Sequence, residues 1–156
     1  MATSAEPNRD EHRGAYTNAI YGVISIAVVV VTWEADGNEW HLVEVIAGYI
    51  LSLWTLHSYA ALGATGQLRP WWHVAREEFP VAAAGLPALG VAVVGLILGW
   101  SEPTEAAMAL TACALTLVAL QTSVLRRIGA SRRRIARTVV VDMVIAAIIL
   151  CLYIAI

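Results

Sequence analysis

Charge comes in short blocks along this 156-residue chain, and apolar stretches long enough to cross a lipid bilayer separate the blocks. No other feature restricts the fold as strongly. A bilayer core is about 30 Å thick and takes roughly 20 helical residues to cross. Water is absent there, so only helices and closed barrels satisfy their own backbone polar groups. The apolar stretches are continuous rather than alternating, which argues against a β-barrel. They predict an all-α, polytopic membrane protein. Composition agrees: 59% of the residues are hydrophobic and 14% are charged, whereas soluble domains carry about 25% charged residues.

Five spans are expected, at about 17–33, 40–62, 80–100, 104–125 and 138–156. They form one domain, 17–156, behind a polar tail, 1–16, that is either mobile or a short surface helix. The first span (TNAIYGVISIAVVVVTW) is rich in β-branched residues, which in water would suggest a strand. In lipid the helix wins, because it closes its own hydrogen bonds. Residues 34–39 carry Asp36-Gly37, a turn signal that closes a hairpin between spans one and two. Residues 63–79 mix Trp71, Trp72, Val74 and Phe79 with Arg69, Arg76, Glu77 and Glu78. They read equally as a short helix lying in the interface or as a linker with an aromatic anchor. Pro87, beside Gly85 and Gly90, predicts a kink in the third span. Gly95-x-x-x-Gly99 offers a close-packing face. Ser101 can cap the fourth span and Pro103 can open it. That span is rich in alanine and is expected at the centre of the bundle.

The basic inventory is ten arginines and no lysine, as in proteins from GC-rich bacterial genomes. All ten lie in the tail, the second connection or the fourth connection. The other two loops hold Glu34, Asp36, Glu39, Glu102 and Glu105 and no basic residue. The positive-inside rule then places the N-terminus in the cytoplasm and the C-terminus outside a bacterial plasma membrane. Residues 1–14 lack the apolar core of a signal peptide. Cys113 and Cys151 sit within apolar runs, without metal or redox spacing, and are expected to act as small hydrophobes.

The second span holds the residues best placed for chemistry. Around a helix, Glu44, Gly48, Ser52, Thr55 and Tyr59, with His41 and Ser58, share an arc of about 120°. Such a stripe suits a hydrated path or a polar contact between subunits. It equally suits a tight helix–helix seam, because Gly, Ser and Thr are what seams use. Glu44, near the outer surface, is either a carboxylate reaching water or a cation-attracting group at a vestibule. His57 lies on the opposite side of the same helix. It and Asp142 of the fifth span are both roughly 7–8 Å inside the cytoplasmic boundary. Their matched depth allows a pH-sensitive pair, in competition with an Asp142 staple to Arg126, Arg127, Arg134 or Arg137. Arg126, Arg127, Arg132, Arg133, Arg134 and Arg137 form a basic turn suited to anionic lipid headgroups and to setting topology. No nucleophile, metal or phosphate motif is present, so neither a cofactor nor an enzymatic activity is expected, and nucleic acid is not an expected partner.

Three short stretches, AIYGVI (19–24), Trp54-x-x-His57-Ser58-Tyr59-Ala60 and REEFP (76–80), resemble a group of small uncharacterised bacterial integral membrane proteins. The run from Gly22 (GVISIAV), followed by Glu34, and Trp54-x-x-His57 are similar to the first two helices of the endolysosomal and bacterial transmembrane potassium channels. Ile20 and Tyr21 stand where that family carries Ser-Asp, and five spans replace six, so potassium selectivity does not carry over. Five short spans leave little room for an internal substrate pocket, which favours a path at an oligomer axis. The expected function is a homo-oligomeric membrane protein permeable to protons or monovalent ions. The alternative is a non-catalytic scaffold or subunit that binds a partner helix or lipid.

Overall fold

The computed structural model describes residues 7–33, 40–65 and 70–155. The turn expected at 34–39 lies outside the described residues. Seven helices follow in order: α1 (Pro7–Thr32), α2 (His41–Thr65), α3 (Trp71–Glu77), α4 (Phe79–Ala83), α5 (Leu86–Leu98), α6 (Glu102–Arg127) and α7 (Arg132–Ala155). The described residues contain no strand, so the β-branched run of the first span is helical. Three helical segments are long and apolar enough to cross a membrane: His41–Ala64, Phe79–Leu98 and Glu102–Arg127. Their 24, 20 and 26 residues correspond to roughly 36, 30 and 39 Å of helix, against a hydrocarbon core of about 30 Å. Tyr16–Thr32 is a shorter apolar helix. α1 begins well before it, at Pro7, so residues 7–16 continue the first apolar helix.

Small residues decide how the helices meet. Ala88, Ala92 and Gly95 form the buried line of α5, and Ala106, Ala109 and Cys113 that of α6. Spacings of three and four residues put each line on one face, and side chains this small let two helices approach closely. α6 shares its largest contacts with α5, α1 and α7, the central position expected of an alanine-rich helix. Val23, Ile26 and Val30 of α1 and Leu42, Ile46 and Ile50 of α2 supply the bulky half of the core. α7 packs principally along α6 and exposes Val140, Val141, Val144, Ile145 and Ile148.

The third apolar segment is broken, as Pro87 predicts. α4 ends at Ala83, Ala84 and Gly85 form a turn, and Pro87 stands in the first turn of α5. Proline has no N–H to bond back, so a helix interrupts just before it at low cost. Gly85 fits the break: a Cβ there would strike Ile26 of α1 and come within 2.8 Å of Ile50 of α2. Gly22 makes a second close approach, where a Cβ would lie 2.9 Å from the Val81 carbonyl oxygen of α4. The Gly95–Gly99 pair divides its roles. Gly95 is buried, but Gly99 is exposed at φ +66° and terminates α5, while Trp100 N–H donates to the Gly95 carbonyl. Gly99 is thus a left-handed cap rather than half of a packing face.

Candidate functional site

α2 carries two faces of opposite character. Leu42, Ile46 and Ile50, four residues apart, are buried, and Tyr49 and Trp54 pack against the core beside them. On the other side Glu44, Gly48, Ser52 and Tyr59 are exposed and Thr55 is half-buried. The polar stripe therefore points away from the protein's own core. Its hydroxyls are only partly committed. Thr55 Oγ1 donates to the Leu51 carbonyl at 2.7 Å, as Ser and Thr in apolar helices commonly do. Ser58 separates from the stripe, because it is fully buried and donates to the Trp54 carbonyl at 2.8 Å. His41 leaves it too, its ring edge-on to Trp33 at 6.2 Å between centroids.

His57 lies on the buried side of α2, as its position on the helical wheel implies. Its ring meets Tyr21 of α1 in a T-shaped contact, 6.2 Å between centroids. Its Nε2 is buried and has no hydrogen-bond partner. Asp142 Oδ2, on α7, is likewise buried without one. These two buried atoms do not bond to each other. The principal neighbours of α2 are α1, α3, α4 and α5, and that of α7 is α6. Asp142 Oδ2 takes no hydrogen bond from the arginine turn either.

The basic turn is built by two helix ends. Arg126 and Arg127 close α6, where cations complement the negative end of the helix dipole. Gly129, at φ +71°, turns the chain, and Ala130 N–H donates to the Leu125 carbonyl at 2.9 Å. Ser131 Oγ accepts from Arg134 N–H at 3.4 Å and starts α7. Arg126, Arg127, Arg132, Arg133, Arg134 and Arg137 are all exposed. Ser131, Arg133, Arg134, Ala136 and Arg137 line an open depression. The Arg127 guanidinium sits 5.2 Å from the centre of the Tyr16 ring, pinning the end of α6 to α1.

Two further anchors join the connection after α2 to the bundle. Trp54 Nε1 donates to the Ala75 carbonyl of α3 at 2.7 Å, and its ring packs near Trp71 and Phe79. Asn18 Nδ2 donates to Glu78 Oε2 at 3.0 Å. Val74 and Ala75 are buried while Trp71 and Trp72 are exposed. α3 is therefore a docked helix with an outward aromatic edge, beyond what a bare linker would give.

One functional candidate was not legible from sequence. Glu105, counted there among the acidic loop residues, is only 3% exposed. α6 begins at Glu102, so Glu105 stands inside the helix and turns inward beside Ala106 and Ala109. A near-continuous line of small residues at 106, 109 and 113, extended back by three or four positions, is the signal that could have placed it. No protein-family model, curated protein or solved structure matches this chain.

Proposed function

We propose that the chain is a multi-pass protein of a bacterial plasma membrane that assembles with copies of itself and passes protons or monovalent ions along the α2 faces where subunits meet. The five spans are α1, α2, the broken α4–α5 segment, α6 and α7. The arginines lie in the cytoplasm, with the N-terminus inside and the C-terminus outside. The role is one of conduction rather than catalysis. The family resemblances of residues 19–24, 54–60 and 76–80 fit a small bacterial membrane protein.

One observation carries this proposal: Glu44, Gly48, Ser52 and Tyr59 are exposed on the face of α2 opposite Leu42, Ile46 and Ile50. Polar groups facing hydrocarbon are costly and tend to find a partner or a wet cavity. A second α2 supplies the partner, and Gly48-x-x-x-Ser52 permits the close approach. A second reading, a scaffold that binds a partner helix or lipid, draws on the exposed apolar faces of α7 and on the arginine turn.

The test is disulfide cross-linking in native membranes, with Cys113 and Cys151 replaced by serine. Ser52→Cys is expected to give cross-linked oligomers and Ile46→Cys, on the buried face, to give none. The same protein in liposomes is expected to dissipate a pH or cation gradient, and Ser52→Leu to slow it. Oligomers without flux would transfer the role to the scaffold. Equal cross-linking at 46 and 52 would remove the α2 interface.

A further inference from the structure

Glu105 is the most deeply buried charged residue among those described. It stands in the first turn of α6, at the end of that helix opposite Arg126 and Arg127. Its backbone N–H donates to the Ser101 carbonyl at 3.0 Å, so the helix holds the residue firmly. Its side chain does not reach back to cap the helix. It runs instead across Gly95 of α5 and against Trp100.

A Cβ at position 95 would lie 2.9 Å from Glu105 Cγ and 3.0 Å from Trp100 Cε3. Gly95 therefore leaves the slot that the carboxyl occupies, and the indole closes it on one side. Glu105 Oε1 is buried with no hydrogen-bond partner. A carboxylate at 3% exposure with one oxygen buried and unpartnered carries a desolvation penalty. The penalty falls sharply when the charge is neutralised.

The choice of cation follows from the surroundings. A metal ion needs several oxygen, nitrogen or sulfur ligands. Among the described residues no three His, Cys, Asp or Glu side chains come together. The nearby carbonyls of Gly95, Leu96 and Ser101 are taken by the N–H groups of Trp100, Gly99 and Glu105. A proton needs only one oxygen. Other titratable groups that the packed elements bring to this end are few. They are Glu102 on α6 itself and Cys151 and Tyr153 on α7. Among the described residues α5 has none, α1 has none beyond Tyr21, and α2 contributes His41 and Glu44. None of the described side chains here is a lysine or an arginine that would hold Glu105 as an anion.

We infer that Glu105, seated in the Gly95 slot under Trp100, is a proton-binding site of this protein. The site lies in the α5–α6 seam, apart from the α2 faces of the proposed function, and does not rest on that reading. Protonation is a simple addition of H⁺ to a carboxylate oxygen, with no other bond made or broken. The neutral carboxyl lets α5 and α6 close tightly at this end, and loss of the proton places a charge in their seam. Occupancy of the site is thereby coupled to the packing of the α5–α6 hairpin.

The experiment is pH-difference infrared spectroscopy of the full-length protein in liposomes. A carbonyl stretch of a protonated carboxylic acid is expected at neutral pH, and it is expected to vanish in Glu105→Gln and persist in Glu102→Gln. Its absence from the wild type, or its survival in Glu105→Gln, would overturn the assignment. Gly95→Ala keeps the carboxyl but fills its slot, and is expected to weaken proton binding by about tenfold or more. An unmoved titration midpoint would refute the slot. Proton flux is followed on the same liposomes. A titrating band without flux upholds the site while the transport reading fails, and flux without the band does the reverse.

Discussion

The contact between Gly22 and the α4 backbone yields a prediction that can be worked from the structure. Replacing Gly22 with alanine places a Cβ 2.9 Å from the Val81 carbonyl oxygen, 3.5 Å from Val81 Cγ1 and 3.6 Å from the Val81 carbonyl carbon. The first distance is too short, and the obstacle is main chain, which does not rotate away. α4 is held there by the turn at Ala84–Gly85 and by its packing on α1 and α2, so relief requires α1 and α4 to separate. Overpacking of this kind costs typically 1–3 kcal/mol. Alanine also gains up to about 1 kcal/mol over glycine in a helix interior. The net expectation for Gly22→Ala is a loss of about 1 kcal/mol, within a range of roughly 0–2. Gly90→Ala is the control. Gly90 is exposed inside α5, and a Cβ there meets nothing within 4 Å, so only the helix-propensity gain applies. The difference between the two variants removes propensity and leaves packing, about 1–3 kcal/mol. Reversible unfolding in mixed micelles, with both variants measured against the wild type, reads it directly. Equal stability changes at 22 and 90 would refute the close packing of α1 on α4.

Two other predictions follow from single contacts. Trp54→Phe keeps the aromatic packing but removes the donor to the Ala75 carbonyl, 2.7 Å away. It should cost about 1 kcal/mol and speed hydrogen exchange in α3, with little effect on α6. His57→Ala and Asp142→Asn lie on helices with different principal neighbours. Their stability effects should add within about 0.5 kcal/mol, and a larger coupling in a double-mutant cycle would restore a link between them.

Much of the fold was legible because lipid simplifies the problem. Continuous apolar runs could only be helices, and Pro87 marked a break that the structure places one turn earlier, at Ala84 and Gly85. The alanine line of α6 announced a central helix. Neighbour identity was not legible. Depth along a helix is a one-dimensional quantity, so it set His57 and Asp142 level without saying that they sit on helices packed against different neighbours. On α2, Glu44, Gly48, Ser52 and Tyr59 share an exposed face, whereas Ser58, at the edge of the arc, is buried. Glu105 was missed for a different reason. A glutamate after a Ser-Glu-Pro turn resembles a solvated first-turn acid, and the missing side chain at Gly95 of α5, a neighbour on another helix, is what makes room for it.

The attachment of α7 has a consequence for how the protein is made. α1 to α6 form nearly all of the buried core, and α7 lies principally along α6. The first six helices can therefore reach their final packing while α7 is still leaving the ribosome. The arginine turn holds the α6 end in place meanwhile. Assembly then has a step with its own energy scale: a single helix closing, zipper-like, onto the packed α1–α6 unit. Such a helix is also the one that can leave and return without dismantling the rest, so local opening of this protein should begin along the α6–α7 seam.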